Sequence, residues 1–424
     1  AGRKTNDYLD IRSLDPFYRL VYGDGREFFP SLDRAAMRRQ IEALFPGQGA
    51  GYDRYLKREA RKFDALLPCL RIPYQSLTDY VKPRLLKALP WLDAHVSLAD
   101  VLGRYFTPED LKISFTFQAK YLGMSPWKCP GTFSIISFLE HSTGVQHPIG
   151  GLNRISEAMA KVIAEDGGRI HLSTPVKEVV VEQGRAVGLK LANGERVIAD
   201  DVILNADFAY AMHNLVKPEH LSRWRPEKIA LKGFSCSTFM LYLGMDKLYD
   251  VPHHSIVFAP DYKKNVGEIA DSLVLSEDPS FYVQNACITD PTLAPAGKST
   301  LYVLVPIANN RSGIDWVKEA PRYREKVLDL MEKRAGITDV RRHIVAERMI
   351  TPFDWSNRYN VHIGATFNLA HSIDQMLYFR PHNRFEEFDG CWLVGGGTHP
   401  GSGLPTIYES ARISVEQILK RDGR

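Results

Sequence analysis

The sequence contains no run of apolar residues approaching the roughly 18 needed to span a bilayer as a helix. Its longest candidates, around Gly131–Leu139 and Ser299–Ala308, are short and read as a buried helix and a strand. No secretory signal pattern is visible. Cysteine is scarce: Cys69, Cys129, Cys236, Cys287 and Cys391 lie far apart, odd in number and without a CxxC pair. That pattern reads as reduced intracellular thiols and excludes a disulfide framework or a cysteine zinc site. His141, His147, His253 and His254 do not fall in HExxH or a comparable ligand spacing, so they read as packed or surface histidines. Charge of one sign is also lacking. With 54 basic and 50 acidic residues the net charge of +4 gives no electrostatic footprint for nucleic acid. Finally, the chain has neither a GxGxxG fingerprint nor a P-loop Gly-Lys-Ser/Thr.

What is present excludes disorder. The 424 residues are 44% hydrophobic and 11% aromatic, enough for two or three domains or one large discontinuous enzyme fold. Phe17–Tyr22, the turn Gly23-Asp24-Gly25 and Glu27–Phe29 predict a hairpin. From Leu32 to about Leu139 the pattern is helical. Tyr52, Tyr55, Leu56, Phe63, Leu66 and Leu67 recur at three-to-four spacing beside Lys57, Arg58, Arg61 and Lys62. Tyr80 to Trp91, with Lys82, Arg84 and Lys87, repeats this basic amphipathic theme. Such helices suit a membrane surface or a lid over a core equally well.

After Gly150-Gly151 a helix is predicted over Leu152–Glu165. A meander follows through Arg169–Leu172, Val176–Glu182, Ala186–Leu191 and Arg196–Ile198, with Asn193-Gly194 as a hairpin turn. Asp201–Asp207 reads as a buried strand of parallel type, whose carboxyl end is where open α/β sheets place ligands. Strands then dominate from Lys232 to Arg380, interrupted by a charged helix near Arg322–Lys333.

The densest chemical signal is Leu393–Arg412. A strand (Trp392–Val394) runs into Gly395-Gly396-Gly397, a second tight turn spans Pro400–Gly403, and a helix begins near Thr406 behind Pro405. Five glycines and two prolines at a strand-to-helix junction allow close backbone approach to a flat or anionic ligand, and the helix start favours negative charge. Residues alone therefore support half of a dinucleotide site.

At these residues the chain resembles the bacterial-type phytoene desaturases, the FAD-dependent carotenoid desaturases. Leu393–Leu404 is similar to the family's carboxyl-terminal flavin signature. Further similar blocks are Thr351-Pro-Phe-Asp354 with Phe379–Arg384, Thr289–Gly297, Asn205-Ala-Asp207 and Pro148–Leu152. The resemblance implies an α/β, amine-oxidase-like flavoprotein fold. It divides into an FAD-binding domain (145–213 and 385–424), a sheet-rich substrate domain (1–30 and 214–384) and a helical lid (31–144). Family members open with a strand, GxGxxG and a ribose-binding acid. Ala1 aligns beyond that segment, so the resemblance implies a truncated member, a fragment or a degenerate homologue.

Carried over residue by residue, Gly396, Gly397, Thr398, His399, Gly403, Leu404 and Pro405 match the block that wraps the flavin ring and ribityl chain. Asn205, Ala206 and Asp207 match a loop near the cofactor, and Val176 a backbone position near the adenine. The implied reaction is desaturation of a C40 or C30 polyene by hydride transfer to FAD, with quinone or oxygen as electron acceptor. A hydrocarbon offers no handle for acid–base chemistry, so an apolar tunnel is expected. Phe106, Phe115, Phe117, Tyr121, Trp127, Phe133 and Phe138 are its candidate lining, or simple core. Glu109, Asp110 and Lys112 are candidates for proton transfer, or a solvated helix start after Thr107-Pro108. The implied location is cytoplasmic and peripheral at the inner face of the cell membrane. A carotenoid isomerase, a terminal-methyl oxidase and a non-catalytic lipid or prenyl binder are the alternatives.

Overall fold

A computed structural model describes residues 2–423, with the backbone alone at Tyr121. In chain order the strands are β1 (Ile11–Leu14), β2 (Arg19–Val21), β3 (Glu27–Phe28), β4 (Val145–Pro148), β5 (Val176–Glu182), β6 (Arg185–Leu191) and β7 (Arg196–Ile198). There follow β8 (Val202–Leu204), β9 (Ser237–Met245), β10 (His254–Val257), β11 (Phe281–Gln284), β12 (Ser299–Ile307), β13 (Ile344–Ile350) and β14 (Cys391–Leu393).

The largest sheet has the order β13-β9-β12-β11-β10-β2-β3. The amino-terminal hairpin joins it through a parallel β2–β10 pairing, Leu20 opposite Ile256, while the other pairs are antiparallel. Period-two alternation gives this sheet two different faces. Along β12, Leu301, Val303, Val305 and Ile307 are buried, whereas Tyr302, Leu304 and Pro306 are half-buried on the opposite side. The first set packs with Phe239, Leu241 and Val283 against the helix Trp316–Arg334, which contributes Trp316, Tyr323, Val327 and Met331. The second set faces a cavity.

A helical layer from Arg34 to Thr143 closes that cavity from above. Its long helix, Gly49–Leu70, buries Tyr52, Tyr55, Leu56 and Leu66, so the three-to-four spacing in the sequence marks a face turned inward. The expected aromatic tunnel is mostly core. Phe106 and Phe115 are fully buried and stacked 4.8 Å apart, and Phe115 stacks on His141 at the same distance. Phe138 joins the same cluster, with Trp127 and Phe133 packed against it, and Phe117 alone of the set lines the cavity. The Tyr121 side chain lies outside the described residues.

A smaller module carries the ligand-facing backbone. β5, β6 and β7 form an antiparallel meander around Asn193-Gly194. β8 and β14 pair in parallel, Cys391 opposite Val202 and Leu393 opposite Leu204. Val202, Leu204, Phe208, Trp224, Phe385 and Leu393 form its core. Arg169–Leu172, expected as a strand, is a turn region without ladder bonds, and all four of its residues are exposed.

Candidate functional site

Because β8 and β14 run in parallel, their carboxyl ends open together, and this brings Asn205–Asp207 beside Gly395–Gly397. A Cβ on Gly395, whose φ is +96°, would stand 2.9 Å from the Asn205 side-chain oxygen. Gly395 donates its N–H to Ser410 on the following helix at 2.8 Å. That helix, Leu404–Arg421, starts from Gly403 (φ +110°) with Pro405 in its first turn, no side-chain cap and no acidic residue in that turn. Its start is exposed at Gly403, Leu404 and Pro405. Free N–H groups and the positive end of the helix dipole therefore face outward beside a glycine backbone.

The rest of the signature points the other way. Thr398 is buried and donates to Pro381 O at 2.7 Å. His399 is buried, edge-on to Tyr74 at 5.0 Å and bonded to Leu70 O, and burial pulls its pKa down to about 3. Asp207 caps the helix Phe208–Asn214 by accepting from Tyr210 N, and accepts from Asn368 at 2.7 Å. Its burial raises the carboxyl pKa. These three residues hold the loop in place, while Asn205, Ala206, Gly396 and Gly403–Pro405 present the accessible surface. Val176 opens β5 opposite Leu191, within the meander.

Arg380 fastens the loop from behind. It is fully buried, with Nε donating to Thr398 O (3.0 Å) and Nη2 to Gly396 O (2.6 Å) and Leu369 O (3.2 Å). Nη1 donates to Ala370 O (3.2 Å) and Gln375 O (3.3 Å). Among the described residues no carboxylate pairs with it, and desolvation pulls its pKa down to about 9, so it stays cationic at neutral pH. Arg380 lies within the Phe379–Arg384 block, where the sequence alone assigns it no role. Its signal was an arginine held between a tyrosine-phenylalanine pair and a proline.

The cavity holds about 530 Å³ and is walled mainly by apolar and aromatic side chains from both layers, among them Tyr18, Phe117, Ile256, Tyr302 and Leu304. Its lining includes Phe367, whose carbonyl accepts from Ser402 Oγ of the loop at 2.6 Å. Two of its histidines are held by hydrogen bonds. His254 Nδ1 pairs with the Tyr282 hydroxyl at 2.6 Å, and His147 Nε2 with Asp290 at 3.0 Å. Asp290 also accepts from Gly150 N and from Thr292, and these bonds lower its pKa to about 2 against the opposing effect of burial. Lys120 lines the cavity too. Glu109, Asp110 and Lys112 do not: Lys112 pairs with Glu109, and Asp110 with Arg26.

A model of the flavin containing amine oxidoreductases matches residues 3–419. The chain belongs to that family. It is 52% identical over 419 residues to a 4,4'-diapophytoene desaturase (4,4'-diapolycopene-forming) of a Methylomonas species, covering 99% of this chain and 82% of that protein. It is 36% identical over 422 residues to a zeta-carotene-forming phytoene desaturase of Myxococcus xanthus, covering 99% and 81%. Within the family it therefore sits with the bacterial carotenoid desaturases. A putrescine oxidase structure bound to putrescine superposes with a TM-score of 0.60 at 12% identity, over 98% of this chain and 83% of that one, which establishes the amine-oxidase-like fold. The matches leave the expected loss of an amino-terminal unit unsupported, and the isomerase, oxidase and binder alternatives gain nothing from relatives that are desaturases.

FAD is the cofactor of this family. The residues present fit it: an uncapped, acid-free helix start and a glycine backbone that a Cβ would crowd suit the flat ring and polar chain of a flavin. Gly397 tests this fit. A Cβ there would lie 2.4 Å from the Cβ of Phe208, too close to be absorbed without moving the loop. Gly397→Ala is expected to cost about 1–3 kcal/mol of overpacking strain in the flavin-binding form of the loop, and so to weaken FAD retention roughly five- to 150-fold. Flavin fluorescence titration measures it, and an unchanged Kd would contradict the assignment.

Proposed function

We propose that this chain desaturates a C30 or C40 polyene precursor, removing hydrogen across CH–CH bonds and passing the electrons on to quinone or oxygen. The observation that carries this reading is an apolar cavity between sheet and helices, one of whose lining residues, Phe367, is hydrogen-bonded to Ser402 of the flavin-compatible glycine loop. FAD, when bound, supplies the two-electron oxidation by accepting hydride from an allylic carbon. The chain's own residues orient the hydrocarbon and exclude water. Tyr302, Leu304 and Pro306 from β12 and Ile256 from β10 form the floor, and Phe117 and Tyr18 help close the other wall. Incubation with 4,4'-diapophytoene or phytoene in liposomes tests it by mass and absorption. The reading expects products lighter by two hydrogens per step with lengthened conjugation. An oxygenated product, or one of unchanged mass, would overturn it.

Delivery of such a substrate points to a membrane surface, and the 77–91 segment supports peripheral contact. Leu77, Val81, Leu86 and Leu89 are 58%, 67%, 48% and 53% exposed beside Lys82, Arg84 and Lys87. None of the described helices is long and apolar enough to cross a membrane. Contact at the surface is therefore read as interfacial, with the apolar tips inserted and the basic residues at anionic headgroups. The chain is expected to float with anionic vesicles at low salt, and the Leu77→Ser/Val81→Glu variant to remain at the bottom. Equal flotation of the two would remove the segment from the account.

A further inference from the structure

Among the described residues, one amine stands in the cavity wall. Lys120 lies on the turn Phe117–Leu122, and its Nζ sits 4.5 Å from the Tyr262 ring centroid. Among the described residues no carboxylate lies within ion-pair distance of it. A hydrocarbon substrate gives such a group nothing to bind, and a lysine in an apolar pocket is costly in its charged form.

Its position is informative. The next turn residue, Gly123, packs on Ser235 and accepts from Cys236 N at 3.3 Å. Ser235 Oγ accepts from Phe367 N at 3.0 Å, and Phe367 O accepts from Ser402 Oγ. The Lys120 turn is thereby linked, through Gly123, Ser235 and Phe367, to Ser402 of the glycine loop.

We propose that Lys120 Nζ is the proton acceptor of the desaturation, an inference that rests on the functional reading above. The substrate loses one C–H bond as hydride, taken up with its two electrons by oxidised FAD. The neighbouring C–H bond leaves its electron pair in the new C=C bond and gives its proton to the Nζ lone pair. The resulting ammonium rests against the Tyr262 ring, where a cation is tolerated, and returns its proton to solvent before the next turnover. Desolvation supports the role, since it pulls the Lys120 pKa down to about 7 and leaves a neutral amine available near physiological pH. Other groups near the cavity are shifted away from that range or engaged by hydrogen bonds. Burial raises the Cys236 thiol to about 12 and lowers His254 to about 3, and it raises the Tyr262 and Tyr282 phenols far above neutrality. Glu140 accepts from Tyr18 and Gln118, and His147 is engaged by Asp290.

Two readouts test the proposal. Reductive ¹³C-methylation of the resting protein, with the Lys120 resonance assigned by its absence in Lys120→Met, should give a titration near pH 7. A titration near 10 overturns the proposal without any substrate. Single-turnover polyene oxidation should rise with pH through about 7. In Lys120→Met it should fall about 10²–10⁴-fold and lose that limb, with bound flavin unchanged, and added ethylamine should restore part of the rate in Lys120→Ala. A Lys120→Met enzyme with wild-type rate and profile overturns the proposal alone. A wild-type enzyme that makes no product from either precursor at any pH overturns the functional reading and this proposal with it.

Discussion

Arg380→Met should lose both its flavin and a large part of its stability. The guanidinium satisfies five carbonyls, those of Thr398, Gly396, Leu369, Ala370 and Gln375, in a site closed to water. Methionine fills the volume but donates nothing. Ala370 O keeps Gln375 Nε2 (3.3 Å) and Gly396 O keeps Ser402 Oγ (3.5 Å), which leaves three carbonyls without a partner. At roughly 1–3 kcal/mol each, the low end of the sum is about 3 kcal/mol. At roughly 2 °C per kcal/mol for a chain of this size, Tm should fall by about 6 °C or more. Gly396 and Thr398 belong to the loop that meets the flavin, so retention of FAD should fail with it. Arg380→Lys should recover only part of the loss, because an ammonium has three donors and no planar fork. Thermal unfolding and the flavin content after desalting decide the matter. A Met variant that melts with the wild type and stays yellow would show that the clamp does not hold the loop.

The second large effect lies in the helical layer. Lys62 is fully buried and donates to Gly131 O (2.7 Å) and Ser134 Oγ (2.8 Å), with Asp93 at 2.9 Å and Glu59 at 3.6 Å. Glu59 is itself fully buried and accepts from Ser134, whereas Asp93 has Arg58 and Arg104 as further partners. Lys62→Met strands the Glu59 carboxylate, and breaking such a pair costs about 3–5 kcal/mol. The direction of the Lys62 shift agrees, since desolvation lowers its pKa despite both acids. Replacing both residues, as Glu59→Met/Lys62→Met, removes the stranded charge and should recover much of the stability. Denaturant unfolding of the three variants measures the coupling. A double variant less stable than Lys62→Met would contradict it.

These two features also show where sequence reading stops. The hairpin of β2 and β3, the Asn193-Gly194 meander and the strand–glycine–helix junction were legible because each rests on a local rule, a turn dipeptide or a period of two. β13 was not recognised, since it is an edge strand whose Val345–Arg348 are all exposed and so show no alternation. β1 and β4 pair residues far apart in sequence, and neither strand is distinctive alone. Arg169–Leu172 has strand-like residues but pairs with no strand among the described residues, and tertiary context overrode propensity.

The site divides in the same way. Asn205–Asp207 and Gly395–Gly397 were identified as blocks, and the parallel pairing of β8 with β14 explains why they meet. Thr398 and His399 lie in the matching block yet turn inward, a distinction that burial alone makes. Lys120, Thr238, Tyr282 and Tyr302 converge on one cavity from four separate stretches, and no periodicity announces that. The aromatics from Phe106 to Phe138 looked like a tunnel because a core and a tunnel use the same residues at the same spacing.

Anaerobic mixing of the FAD-loaded protein with one polyene precursor tests the central claim most directly. Flavin absorbance and polyene absorbance are followed together. The account predicts that the oxidised flavin bleaches as a longer-conjugated polyene appears, one product bond for each flavin reduced. Flavin that stays oxidised while 4,4'-diapophytoene and phytoene are each present and unchanged would contradict it.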